Sequence, residues 1–428
     1  LQSEFGEPSA PIEFNALTQR YPVQSPTWVV VMQDFGEAIA PEIPPAPNYD
    51  ESRFIGAWDG YGAEKFMNYG RLPGNRFMMN WPLKGNDWGE NVGRLIESAA
   101  KRQEFLQECF CHSQNFAHFI QSKLGRRYGL AEDVFPHSPT LPLPSSSFAL
   151  HPYFRESRRL IGLTTVCEQD ILPIAGGNVA PLHPDAIAIG NYANDHHYPD
   201  VKFTLQPKSI RWGGRWTGTP FTIPYTSLVP ANINGFLACE KNISVSHIAN
   251  GATRLQPVVL GIGQAVGMAA ALCVIDNIQP RHLSVRKLQN ILLENSHIPT
   301  AITPLFNLQL SHPDWLHWQK YYLDNLSDYP ASGYCTSPEN DQYLYELNSL
   351  VILRKKEPFV GTFEFLSQQE YGFRVVTPSE YQGQTWHLVT LRSHINSTLQ
   401  TISNGKLLKL WGSYNPAGNW LIVEHIEV

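Results

Sequence analysis

Apolar and polar positions along the chain sort into three helical stretches, a few isolated strands and a run of short strands near the C-terminal end. From Asn91 to about Leu124, Val92, Leu95, Ile96 and Ala99 share a helical face, Phe105, Phe116 and Ile120 continue it less regularly, and Gly125 stands where a helix would stop. A second helix is predicted from near Pro257, a residue suited to a first helical turn. It is rich in small residues: Gly261, Gly263, Ala265, Gly267, Ala269, Ala270 and Ala271. A polar loop from Glu240 to Asn250 precedes it, and before that the short apolar run Phe236 to Cys239 reads as a buried strand. Leu283 to Leu293 is amphipathic and opened by Ser284 as its N-cap. Strands are also expected at Thr27–Met32 and at Ile187 onward, the latter ending in the polar cluster Asn191–His197.

Between these elements the chain is rich in proline. Pro41, Pro44, Pro45 and Pro47 mark an irregular surface segment, and Pro136, Pro139, Pro142 and Pro144 a linker-like crossing. Pro313, Trp315, Trp318, Tyr321 and Tyr322 form a packed connector within residues 298–340. From about residue 345, six apolar runs follow, at Leu350–Leu353, Phe359–Phe365, Tyr371–Val376, Trp386–Leu391, Leu407–Trp411 and Trp420–Val423. Gly and Asn turns separate them, which predicts a small antiparallel barrel or sandwich with the outline of an oligonucleotide-binding barrel.

With 428 residues, two or three domains are expected. The formal charge of -6 and the lack of a Lys/Arg block argue against a nucleic-acid surface. The six cysteines are scattered, as suits a reducing cytoplasm rather than a disulfide scaffold. Cys109-x-Cys111-His112 has no further ligand at metal-site spacing and reads as an exposed or half-buried helix face, so no metal is expected. No apolar run comes near the ~20 residues of a membrane span, and no signal peptide opens the chain, so neither membrane attachment nor export is expected.

Four places carry candidate chemistry. Gly261-Ile-Gly263-Gln264-Ala265-Val-Gly267 is out of register with the dinucleotide fingerprint G-x-G-x-x-G and reads better as a helix that something approaches closely. Arg155-Glu156-Ser157-Arg158-Arg159 is either a solvated ion-pair face or a fixed guanidinium fork for a carboxylate. Asp195 and His197 fit either a turn whose imidazole bonds to backbone or an acid–base pair in which the carboxylate orients the ring. The loop before the small-residue helix holds Lys241, Asn242, Ser244, Ser246 and His247.

Taken in order, these phrases resemble the FAD-dependent oxidoreductase family. Pro152-Tyr153-Phe154-Arg155-Glu156-Ser157-Arg158-Arg159 is similar to its P-Y-x-R-E-S-R-R phrase, and Asp195-His196-His197 to its D-x-H. Ile223-Pro224-Tyr225-Thr226-Ser227-Leu228-Val229-Pro230 resembles I-P-Y-R-S-L-V-P, and the segment from Ser244 through Ala271 resembles the family's flavin-facing loop and helix. Gly6-Glu7-Pro8-Ser9-Ala10-Pro11 is similar to a phrase that follows the family's N-terminal FAD domain, so the chain reads as cut or processed ahead of Leu1. Thr226 stands where relatives commonly have Arg, and Glu240-Lys241 where they have Gly-Arg.

The resemblance implies FAD as cofactor, a small-molecule substrate, and a helix N-terminus aimed at the flavin. His197, His247, Arg254 and Arg155 would line the reaction pocket. Lys241, Asn242, Gln256, Gly261, Gly263, Gln264 and Gly267 would hold the cofactor. The expected fold is mixed α/β: a flavoprotein substrate domain with an antiparallel sheet and helical insertion (1–230), part of an FAD-binding domain (231–297), a connector (298–340) and a small β module (341–428). No in-register G-x-G-x-x-G occurs, so the chain is expected to need a missing or separate N-terminal nucleotide-binding domain or chain. The alternatives are a non-catalytic relative that has lost FAD and binds a ligand or protein, and a docking role carried by the β module.

Overall fold

A computed structural model describes residues 2–137, 145–198, 209–308, 310, 312–335, 357–390, 392–415 and 418–427. The chain divides into two compact units, Leu1–Arg158 with Asp195–Thr204, and Arg159–Asn194 with Leu205–Val428.

The first unit runs α1 (Gln2–Phe5), α2 (Ala16–Arg20), β1 (Val30–Asp34), α3 (Ala63–Tyr69), β2 (Arg71–Leu72), β3 (Arg76–Met79), α4 (Arg94–Glu97), α5 (Ala99–Leu124) and β4 (Tyr128–Leu130). Its sheet has the order β2-β3-β1-β4, with β1 antiparallel to both neighbours. Phe105, Phe110, Phe116 and Ile120 of α5 join one core with Trp28, Val30, Met32 and Phe77. Cys109 belongs to that core and is fully buried, so this part of the Cys-x-Cys helix is interior rather than a surface face. The helix expected from Asn91 is interrupted at Ser98, whose backbone is extended and whose hydroxyl caps α5 by accepting from the Lys101 N–H. That break turns Ile96 out to solvent, 70% exposed. Gly125 ends α5 with φ 88°, a conformation glycine adopts without strain.

The proline-rich segment 41–47 is packed onto α5 rather than lying loose on the surface. Gln121 accepts from the Ile43 N–H and donates to Pro41 O, His118 Nδ1 lies 2.7 Å from Ile43 O, and Asn115 accepts from the Ala46 N–H. Proline cannot build a ladder, so helix side chains supply the partners that a neighbouring strand would give.

The second unit opens with β5 (Ala186–Tyr192), β6 (Ser209–Trp212) and β7 (Arg215–Pro224), an antiparallel sheet of order β5-β7-β6. Then come α6 (His247–Thr253), α7 (Gln256–Ile275), α8 (Val285–Glu294) and α9 (Trp315–Asp324). Val258, Ile262, Ala265 and Ala269 of α7 are buried with Ile187, Ala188, Phe221 and Ile223 in one core. A Cβ added at Gly261 would lie 3.1 Å from the Ala188 side chain, so this glycine marks close helix–strand packing. Phe236 to Cys239 forms no strand. Phe236 and Cys239 are exposed, and only Ala238 is buried, its N–H bonded to Leu228 O. Four apolar residues carry too little pattern to fix an extended element. The connector is packed as expected, with Trp318 stacked on Tyr322 at 5.6 Å.

One helix among the described residues, α7, is long and apolar enough by length and composition to cross a membrane, at mean hydropathy 2.2. This corrects the expectation that no such run exists. Its many Gly and Ala residues, with no charged residue among them, disguise its length as an apolar segment.

The C-terminal module is β8 (Phe359–Ser367), β9 (Glu370–Thr377), β10 (Thr385–Val389), α10 (Ser393–Thr401), β11 (Leu407–Asn415) and β12 (Trp420–Glu427). It closes as a barrel in the order β10-β12-β11-β8-β9. β10 and β12 pair in parallel, so the barrel is not wholly antiparallel, and the connection between them runs through α10 and the whole of β11. This Greek-key connectivity is that of the oligonucleotide-binding fold. The expected strand Leu350–Leu353 lies outside the described residues, as do Pro139, Pro142 and Pro144. The β6–β7 turn, Gly213-Gly214 (φ 57° and 80°), is seated against the barrel. Its Gly213 O accepts from the Thr390 N–H, and a Cβ at either glycine would fall within 2.2 Å of a carbonyl of Thr390 or Leu388.

Candidate active site

In the first unit, the loop after β3 is held by Asn86, whose side chain donates to Trp28 O and Met79 O and accepts from the Trp81 N–H. That fixes Asp87 in the interior, where its carboxylate meets Arg155, His197 and the Thr27 hydroxyl. His197 lies between two carboxylates, with Nδ1 2.5 Å from Asp87 and Nε2 2.8 Å from Asp195. Burial opposes charge on this ring, but Asp87 and the two hydrogen bonds outweigh it and raise the His197 pKa above its ordinary value. For Asp87, burial is likewise the largest influence, and Arg155 and His197 overcome it to hold the carboxyl below the usual range. Both ring nitrogens of His197 thus face carboxylate oxygens, an arrangement that favours the charged ring. Asp195, 37% exposed against 4% for Asp87, is the more exposed of the two carboxylates.

Arg155 is 1% exposed. Its guanidinium donates to Ser25 O at 2.5 Å, Thr27 Oγ1 at 2.8 Å and Asn80 Oδ1 at 3.0 Å, and pairs with Asp87 at 3.2 Å. Gln24 bridges Glu156 and the His197 N–H. Beside this cluster, Tyr61, Tyr69 and Trp81 form a partly exposed aromatic group, with Tyr69 5.4 Å and Tyr61 5.3 Å from Trp81. Arg155 and His197 were legible in the sequence, and Asp195 was named with them. Asp87, Thr27, Asn80 and Asn86 were not, since they sit in irregular stretches far from residue 197 in sequence and carry no periodicity.

The second unit holds the other candidates. Ser246 caps α6 by accepting from the Ala249 N–H, which places His247 in its first turn, half-buried. Arg254 is the C-cap of α6 and is buried. Lys241 pairs with Glu240 at 3.1 Å, which offsets the acidic residue of this loop. Asn242 O accepts from the Leu160 N–H. Thr226, standing for the usual arginine, donates to Asp185 from both its hydroxyl (2.6 Å) and its N–H (3.0 Å). Gln264 donates to Ile298 O.

The N-terminus of α7 has no side-chain cap, because Leu255 offers no acceptor, and Gln256 and Pro257 are exposed. A Cβ added at Gly267 would meet nothing within 4 Å, and one at Gly263 would come no closer than 3.9 Å to Cys239 O. Gly261 thus serves internal packing, while Gly263 and Gly267 leave the other side of the helix open. Uncapped N–H groups and a glycine-bearing face fit a planar ring that becomes anionic on reduction, so the residues present are compatible with a flavin.

Compared with known families, the chain matches the family described as FAD dependent oxidoreductase over residues 2–292, more than half its length, and it belongs to that family. No curated protein and no solved structure matched it.

Proposed function

We propose that the chain is the substrate-handling and flavin-facing part of an FAD-dependent oxidoreductase acting on a small organic molecule, and that a nucleotide-binding segment or partner chain completes its FAD site. Family membership gives the general class, FAD-linked oxidation and reduction. The observation that carries the finer reading is His197 held between a buried and a more exposed carboxylate.

FAD, when bound, supplies acceptance or return of two electrons. Lys241, Asn242, Gln256, Gly261, Gly263, Gln264 and Gly267 form its contact segment, with His247 and Arg254 beside it. Within the first unit, His197 and Asp195 form the acid–base pair: Asp195 exchanges a proton at the more exposed end, and Asp87 orients the ring. Arg155 holds Asp87 and the chain at Ser25 and Thr27 in place. Need for a completing segment is supported by the lack of an in-register G-x-G-x-x-G and by the exposed apolar residues of α7, Leu260, Val274 and Ile275. Domain boundaries at 230, 297 and 340 and a cytoplasmic location belong to the same proposal, the latter in keeping with the free thiols Cys109, Cys111, Cys239 and Cys273.

A second reading, a relative that has lost FAD and kept the scaffold for binding, is favoured by Thr226, which is bonded to Asp185 at the position of the family's arginine. A visible absorption spectrum after gel filtration, with FAD added and with or without the N-terminal portion, separates the two. Flavin bands that require that portion support the proposal; bands with the chain alone remove the completing segment from it; no flavin under either condition leaves the second reading. In the reconstituted enzyme His197→Ala is expected to lower turnover by about 10²-fold or more. Full activity of that variant would end its proton-transfer role.

A further inference from the structure

Helix α5 carries a polar stripe at Gln107, Cys111, Gln114, His118 and Gln121. The spacings alternate four and three residues, which puts all five on one face. The C-terminal part of the stripe is already occupied. Residues 41–47, four of them proline, run antiparallel to the helix, with Pro41 and Ile43 at Gln121, Ile43 at His118, and Pro44 O accepting from Gln114 Nε2 at 2.9 Å. At Asn48 the backbone enters the left-handed region (φ 63°), and the ring of Tyr49 packs edge-on against His118, so the chain turns back there.

The stripe continues beyond that turn. A groove of about 640 Å³ lies over Gln107 and Cys111, lined also by Trp88, Arg53 and His112 and closed at one end by Pro45 to Asn48 of the proline-rich segment. Gln114, 7% exposed, reaches both regions: its Nε2 serves Pro44 O, while its Oε1 accepts no hydrogen bond among the described residues. The charges around the groove are largely committed. Glu108 is paired with Arg94 and the Arg53 guanidinium lies over the Trp88 ring. Burial, with Arg53 nearby, pushes the His112 pKa down to about 4 despite its bond to Gly85 O, so this ring is uncharged at neutral pH. What the groove offers is an aromatic wall and side-chain amides, the same helix face that already reads a proline-rich backbone one turn further on.

We propose that this groove is a docking site for an extended, proline-rich peptide segment of a partner protein, laid end to end with residues 41–47 along α5. Gln107 and Gln114 would pair with its backbone, and its prolines would pack against Trp88. Such a segment loses little conformational entropy on binding, because its rings preset the backbone. Gln107 is exposed and bonded only weakly, to Cys111 Sγ at 3.4 Å, so it is readily released to a ligand. The proposal is independent of the redox reading.

The test is fluorescence anisotropy of the full chain with a fluorescein-labelled peptide of Pro-Pro-Ala repeats. Saturable binding is expected, weakened about tenfold or more when the prolines are replaced by glycine. Gln107→Arg, which fills the groove from an exposed position, should weaken binding at least as much without shifting the thermal midpoint. Absence of saturable binding, equal affinity for the glycine peptide, or indifference to Gln107→Arg would each overturn the proposal. So would saturable binding of a fluorescein-labelled cello-oligosaccharide, abolished by Gln107→Arg, under conditions in which the peptide does not bind.

Discussion

In the barrel, Phe363, Phe373, Trp386, Leu388, Leu408, Leu410, Leu421 and Val423 fill an interior whose strands bond to one another. Around Asp87 the buried side chains include Arg155, Asn86, Thr27 and Gln24, and much of what they bond is loop backbone and each other. A closed set of strands satisfies its own backbone, which frees its inward positions to be apolar. Irregular segments cannot do this, so polar side chains must go inside with them. The first arrangement tolerates changes of shape and the second tolerates changes of polarity poorly.

That contrast is most sharply tested by near-isosteric substitutions. Asp87→Asn keeps the side-chain size but leaves Arg155 and His197 without their shared counter-charge, and should cost about 3–5 kcal/mol in urea denaturation of the first unit. Leu388→Met in the barrel should cost less than about 1.5 kcal/mol. Comparable losses from the two would break the distinction.

Acid should separate the regions next. The folded His112 pKa is depressed to about 4, so the unfolded chain takes up a proton between about pH 6.5 and 4 while the folded one does not. Stability therefore falls by about 3 kcal/mol as pH drops through that window, and His112→Phe should flatten the profile. His197 acts with the opposite sign: its raised pKa contributes stability fully below about pH 6.5, lost as pH rises through the folded value. For Asp87 the lowered pKa adds stability above the usual carboxylate range, lost only in stronger acid. The barrel, followed by amide exchange along its strands, should show neither histidine-linked change.

Gln121→Ala should remove the bonds to Pro41 O, Ile43 N and Tyr128 O and cost about 2 kcal/mol, with faster amide exchange at Ile43. Unchanged exchange would show that the prolines alone hold segment 41–47. The smallest effect expected is Ser284→Ala, about 1 kcal/mol in a thermal melt, from loss of the cap on α8.

Ser284, Pro257 and Gly125 were readable because capping and termination act over a few residues, and the barrel strands because alternation is local. Helix α10 left a trace in Ile395, Leu399 and Ile402, apolar positions spaced four and three, inside a stretch otherwise polar enough to pass for loop. The parallel closure of β10 on β12 leaves none, since it depends on which strands meet. Asp87 is harder still. Nothing near it in sequence distinguishes it from a surface carboxylate, and its role exists only because His197 and Arg155 arrive from distant segments. Of the candidate site, the residues in long phrases were legible and those that hold them were not.

The diglycine turn between β6 and β7 ties two distant stretches of the chain together. Because carbonyls of Thr390 and Leu388 fill the space a side chain would need at Gly213 and Gly214, a chain that carries this barrel in this seat must spell two glycines there. Those two glycines stand well over a hundred residues before the barrel's first strand, so a lesion at this hairpin would be felt in the barrel's seat, far along the chain from where it was made.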